Sequence, residues 1–109
     1  MAQEYIELKN DEEYGKIAVN KSVFQAISEI SIKDVENARI IPTTRFSKPI
    51  GIKIQQNELT ITADVKVKYG INVNATCELV QNKIYENIAY MTGYKPTDIT
   101  VNVIGFITD

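Results

Sequence analysis

Leu59-Thr60-Ile61-Thr62-Ala63-Asp64-Val65-Lys66-Val67-Lys68-Tyr69 alternates apolar and polar residues almost without a break. A strand sends successive side chains to opposite faces, so this spacing predicts a half-buried strand. Leu59, Ile61, Ala63, Val65, Val67 and Tyr69 take one face, and Thr60, Thr62, Asp64, Lys66 and Lys68 take the other. Just upstream, Ile50-Gly51-Ile52-Lys53-Ile54 alternates in the same way, and residues 55–58 make the turn. In that hairpin Ile52 faces Ile61 and Lys53 faces Thr60, so both strands share an apolar and a polar face.

The chain downstream supplies a cover for the apolar face. Gly70 ends the strand, and Asn74 can cap a helix by accepting an orphan backbone N–H. Cys77, Val80, Ile84, Ile88 and Met91 recur at three- and four-residue spacing, which is one stripe of a helix. Gly93 is the natural stop, since it adopts positive φ without penalty, and Pro96 prevents the helix resuming. Ile99, Val101 and Val103 then open a closing strand to about residue 107, with Gly105 marking a bulge or a close contact.

Upstream, residues 1–13 read as an acidic arm with a short added strand at 5–8. Tyr14-Gly15 punctuates the chain, and residues 16–19 form a short strand. Asn20 or Ser22 caps a helix over 21–30, with Val23, Ala26, Ile27 and Ile30 inward and Phe24 alongside. Lys21, Gln25, Ser28 and Glu29 make its polar face. Ile32 and Val35 either extend that helix or pack the loop beneath it. Arg39-Ile40-Ile41 reads as a strand that stops at Pro42, and residues 43–49 form a loop with two bases and an aromatic. The order is β-α-β-β-β-α-β. Two helices need an apolar face, so the fold class is α+β: a two-layer sandwich with a mixed β-sheet, both helices on one face, and residues 14–109 as one domain.

Composition narrows the chemistry. The chain has 109 residues, a net charge of -2, one cysteine and no histidine. Without histidine there is no Ser-His or Cys-His nucleophile and no imidazole metal ligand. Cys77 alone forms no intrachain disulfide and sits on the predicted core stripe, which fits a reducing cytosol. Residues 1–14 hold five acids and one base, while residues 15–109 are mildly basic. That balance does not attract phosphate, so nucleic acid is not expected as a partner. The N-terminus lacks the basic and apolar regions of a signal peptide, and no apolar run approaches the roughly 20 residues of a membrane span.

No catalytic residue, cofactor or metal site emerges. Asp64, Glu78 and Glu86 show no pairing that would separate two carboxyl pKa values, and no phosphate loop or zinc spacing is present. Lys53, Lys66 and Lys68 share the polar sheet face with Asp64. An ordinary solvated back face accounts for them; the sharper reading is an electrostatic surface for an acidic protein. Lys66, Lys68 and Gln81 are the candidate partner contacts. Tyr69 and Tyr94 flank the second helix and read as packing at its ends.

Val65-Lys66-Val67-Lys68-Tyr69-Gly70, Val80-Gln81, Thr92-Gly93 and Val101-Asn102-Val103-Ile104-Gly105 resemble the alkaline shock protein (envelope stress response, general stress) family of Gram-positive bacteria. Tyr14-Gly15-Lys16-Ile17 before a short helix is similar to that family's opening. Asn74 stands where family members often carry Pro or Ser, and Glu36-Asn37-Ala38 lacks their usual Gly-Val. The compact form resembles the small housekeeping-type paralogues. The resemblance implies a non-enzymatic cytoplasmic interaction module in cell-envelope homeostasis, linked in some members to fatty-acid synthesis. It also implies a membrane-anchored protein as partner, and location at the inner face of the membrane through that partner; the leading reading, a module presenting a sheet face or edge, adds a second copy of the chain as the other partner. It carries over no catalytic residues. The element order is also that of ferredoxin-like sensors, so a small-ligand regulatory domain is the alternative; the leading reading expects no small-molecule substrate.

Overall fold

In the computed structural model the described residues are 3–8 and 15–108, so Tyr14 and most of the acidic run lie outside them. The elements are β1 (Tyr5–Leu8), β2 (Ile17–Asn20), α1 (Lys21–Lys33), β3 (Ala38–Ile40), β4 (Ile50–Gln55), β5 (Glu58–Lys68), α2 (Val73–Thr92) and β6 (Asp98–Ile107). The arrangement is mixed α+β, in the expected order with β1 added before it.

β5 is the axis of the main sheet. Antiparallel β4 pairs with its first half, antiparallel β3 with Val65 to Val67, and parallel β6 runs along Thr60 to Lys68. A strand has two edges, so β4 and β3 stand end to end on one side and β6 occupies the other. Ile52 lies opposite Ile61 and Lys53 opposite Thr60, as the alternation requires. The turn between β4 and β5 is tighter than expected. Gln55 already pairs with Glu58, leaving only Gln56 and Asn57, both at positive φ (52° and 60°). That two-residue turn matches the right-handed twist of the strands it joins.

Leu59, Ile61, Ala63, Val65 and Val67 are all fully buried beneath the helices. α1 lies against β4 and β3, α2 against β6, and the helices pack on each other. Tyr69 departs from the alternation: it falls just beyond β5 and is 70% exposed, its ring edge-on to Phe106.

α2 begins two residues earlier than the sequence suggests. Asn72, not Asn74, caps it by accepting from Ala75 N–H at 2.9 Å. The buried stripe is accordingly Thr76, Val80, Ile84 and Ile88, with Cys77 only half-buried and Met91 exposed. Gly93 closes the helix at φ 75°.

α1 runs to Lys33, capped by Asn20, and its inward face differs from the expected one. Phe24, Ile27, Ser28, Ser31 and Ile32 are buried, whereas Val23 and Ile30 are exposed. The two serines are tolerated inside because each hydroxyl donates to a carbonyl four residues back, at 2.8 and 2.7 Å. Asn87 of α2 adds a bond to Ser31 Oγ. Self-satisfied serines cost little when buried, which leaves the choice of face to the large Phe24.

β1 and β2 form a separate antiparallel ribbon that buries Ile6 completely in the common core. The ribbon is tied to the β4–β5 turn by Asn57. Asn57 Oδ1 accepts from Glu7 N–H, Asn57 Nδ2 donates to Glu7 C=O, and Asn57 N–H donates to Gln3 Oε1. The strand before α1 therefore leaves the main sheet. β5, α2 and β6 form a unit whose parallel strands are adjacent, unlike the ferredoxin-like split βαβ, which has a strand between them.

Candidate interaction surface

The sheet face turned away from the helices is built from pairs across β5. Lys53, Thr60 and Asp98 form one row, Gly51, Thr62 and Thr100 the next, then Asp64 beside Asn102. Arg39, Lys66 and Gly105 follow, and Lys68 sits beside Ile107. The face is therefore polarised. Its far end carries Lys53 together with Glu58 and Asp98, and Asn102 Nδ2 donates to Asp64 Oδ1 at 3.1 Å. The end near Lys68 gathers Arg39, Lys66 and Lys68 and no acid from these strands. Lys53, grouped with them from the alternation alone, lies six strand positions from Lys66, about 20 Å at ~3.3 Å per residue.

Lys66 and Lys68 have no ion-pair partner among the described residues. Among the described residues, the ion pairs Lys16–Glu7 and Lys21–Glu4 lie at the β1–β2 region and contribute little in solvent. Arg39 is the basic neighbour that sequence reasoning missed. It opens the strand read at 39–41, but no pairing partner for that strand was legible, so nothing placed it opposite Lys66.

The structure does not bring Gln81 to this surface. Gln81 lies in the helix layer, where its Nε2 donates to Ile99 C=O at 3.0 Å and pins α2 over the start of β6. Gly105, marked by the sequence as a bulge or a close contact, takes part in both. β6 slips by one residue between Val103, opposite Val65, and Gly105, opposite Lys66, which leaves Ile104 as the bulged residue. The aliphatic stem of Lys66 lies over Gly105: a Cβ there would meet its Cγ and Cε at 3.9 and 3.8 Å. Beyond the bulge, Phe106 is half-exposed with Ile104 and Val103 beside it.

The remaining surface offers shallow hollows. One of about 330 Å³ is lined by Arg39, Ile41, Pro42, Lys66, Phe106 and Ile107, so it adjoins the basic end. Another of about 490 Å³ lies between Leu8, Ile17 and Asn57 on one side and Gly93 and Tyr94 on the other. Tyr94 is structural: its hydroxyl accepts from Leu59 N–H and donates to Asn57 C=O, and its ring meets Phe24 edge-on. Burial pushes the Cys77 thiol above its ordinary pKa, which disfavours the reactive thiolate. Among the described residues, no cluster of Cys, Asp and Glu could hold a metal ion, and no helix is long and apolar enough to cross a membrane.

Residues 9–108 match the family model of the alkaline shock proteins, described as having a cell envelope-related function. No curated protein matches the chain.

Proposed function

The chain belongs to the alkaline shock protein family, whose function is cell envelope-related, and from that premise we propose that it is a non-catalytic module that docks a protein partner. The partner is a membrane-anchored protein or a second copy of the chain, met on the cytoplasmic side, so the module reaches the inner face of the membrane through it. One observation carries this reading: among the described residues nothing covers the second face of the sheet, and that face ends in Lys66 and Lys68, which have no ion-pair partner there. Surface charges so arranged steer and select an acidic partner more than they stabilise the fold. The absence of histidine from the sequence supports a non-catalytic role, because the usual proton-transfer residue at neutral pH is missing.

Affinity capture from cytosolic and membrane fractions, read by mass spectrometry, tests the proposal. The tagged chain is expected to retain a specific protein, and the double variant Lys66→Glu, Lys68→Glu to lose it while melting within about 2 °C of the parent, as surface substitutions do. Retention of the same protein by the double variant removes this face from the proposal. Recovery of no specific protein by the parent chain overturns the docking role itself.

A further inference from the structure

The two outer edges of the main sheet are treated differently. On the β4 side, Gln3 N–H donates to Ile54 C=O at 3.0 Å, so the start of the chain closes that edge, and α1 packs along β4 and β3. On the β6 side, Gln81 reaches Ile99, and among the described residues no strand pairs with the rest. Exposed edges are normally blunted by charge or proline within the strand. After Asp98, β6 contains neither: it reads Ile-Thr-Val-Asn-Val-Ile-Gly-Phe-Ile. Its one irregularity, the bulge at Ile104, does not end the ladder, because Phe106 returns to register with Val67.

The backbone beyond the bulge points outward where an added strand would need it. Tyr69 N–H donates to Ile107 C=O at 3.1 Å, so residue 107 faces β5. Backbone groups alternate along a strand, and the N–H and C=O of Phe106 therefore face away from the sheet. The side chains flanking this edge differ on the two faces. On the helix side Val103 and Phe106 are half-exposed and apolar, with the Tyr69 ring against Phe106 at 5.6 Å between centroids. On the open side, the Lys66 stem crosses Gly105 as far as its Cε, and Lys68 lies one row further on, beside Ile107.

We propose that the outer edge of β6 from Val103 to Ile107 accepts an extended partner segment as an added strand, and that this segment alternates acidic with apolar residues. The period of two dictates the pattern: side chains on one face of the incoming strand meet Val103 and Phe106, and those on the other meet Lys66 and Lys68. Main-chain hydrogen bonds hold the segment, and the lysines select its acids. This inference rests on the docking role proposed above and specifies its mode.

The probe is a blocked synthetic peptide of about eight residues alternating glutamate and valine, long enough to span a typical strand. A lysine–valine peptide and a scrambled glutamate–valine peptide are the controls. Fluorescence anisotropy is expected to show binding of the alternating acidic peptide alone, and amide exchange to slow at Phe106 when it binds. Phe106→Pro removes the outward donor without touching a bond to β5, and is expected to abolish binding. Lys66→Glu with Lys68→Glu tests the same edge without altering its backbone, and is expected to weaken binding by about tenfold or more. Equal binding of the lysine–valine peptide, no binding of any peptide, or no protection at Phe106 overturns the inference. A native partner lost by the double lysine variant but kept by a folded Phe106→Pro overturns strand addition alone and leaves the docking role standing.

Discussion

The two faces of β5 share one backbone and one set of ladder bonds, yet they answer to different physics. Toward the helices, Leu59, Ile61, Ala63, Val65 and Val67 are all sealed from solvent. Toward the open side, Thr60, Thr62, Asp64 and Lys66 are only half-buried and Lys68 is exposed. The ladder bonds position both faces equally, so they cannot account for the difference. What separates the faces is apolar area removed from water, at about 25 cal/mol per Å², on one side only. The buried face holds the domain together, and the open face is free to vary with whatever the protein binds.

The sharpest way to break that contrast is to hollow out one face and then the other at neighbouring positions. Ile61→Ala removes a fully buried side chain between the hairpin and the helices, and is expected to cost about 2–5 kcal/mol of unfolding free energy. Thr62→Ala, one residue along on the open face, is expected to stay within about 0.5 kcal/mol of the parent. Urea midpoints of the two variants measure the difference, and equal shifts would show that the open face is packed too.

The hairpin's register, the bulge near Gly105 and the stop at Gly93 were all legible, because each rests on local spacing or on one residue's backbone freedom. The face of α1 was not legible. Val23, Ala26, Ile27 and Ile30 make a convincing stripe, but tertiary packing turns the helix toward Phe24, and Ser28 and Ser31 follow because they bond their own helix. Hydrophobic spacing cannot register a buried serine whose hydroxyl is already satisfied. The open face was legible in its alternation, whereas the basic end needed β3 placed opposite Lys66, a long-range pairing that spacing does not encode. The start of α2 failed for a smaller reason: Asn72 and Asn74 both qualify as caps. Asn72→Ala is expected to cost about 1 kcal/mol and Asn74→Ala to cost less than half of that, as read by thermal melts.

In the hairpin that joins β4 to β5, the turn holds Gln56 at φ 52°, a conformation that favours glycine. Its neighbour Asn57 tolerates the same region and also binds β1 through Glu7. Gln56→Gly is expected to raise stability by about 0.5–1 kcal/mol, because relief of the strained backbone outweighs the added freedom of the unfolded chain. Asn57 allows no such gain, since its side chain is one of the ties between the ribbon and the sheet. A urea midpoint for Gln56→Gly at or below that of the parent would mean that the turn is not strained.

The smallest effect is expected where the contrast predicts nearly none. Lys68 is exposed, stands beside Ile107 and has no ion-pair partner among the described residues, so Lys68→Ala removes neither a buried contact nor a charge pair. Its melting temperature is expected to match the parent's within about 1 °C, and to stay so between low and physiological salt. Lys66→Ala differs in one respect. Its stem covers Gly105 next to the bulge, so its removal uncovers a little apolar surface at the edge of β6. A drop for Lys66→Ala slightly larger than for Lys68→Ala, and unchanged by salt, would assign that part of the side chain to packing and leave the ammonium to recognition. A drop that shrinks with added salt would instead mean that the ammonium is already paired within the fold, and the open face would then be stabilising itself.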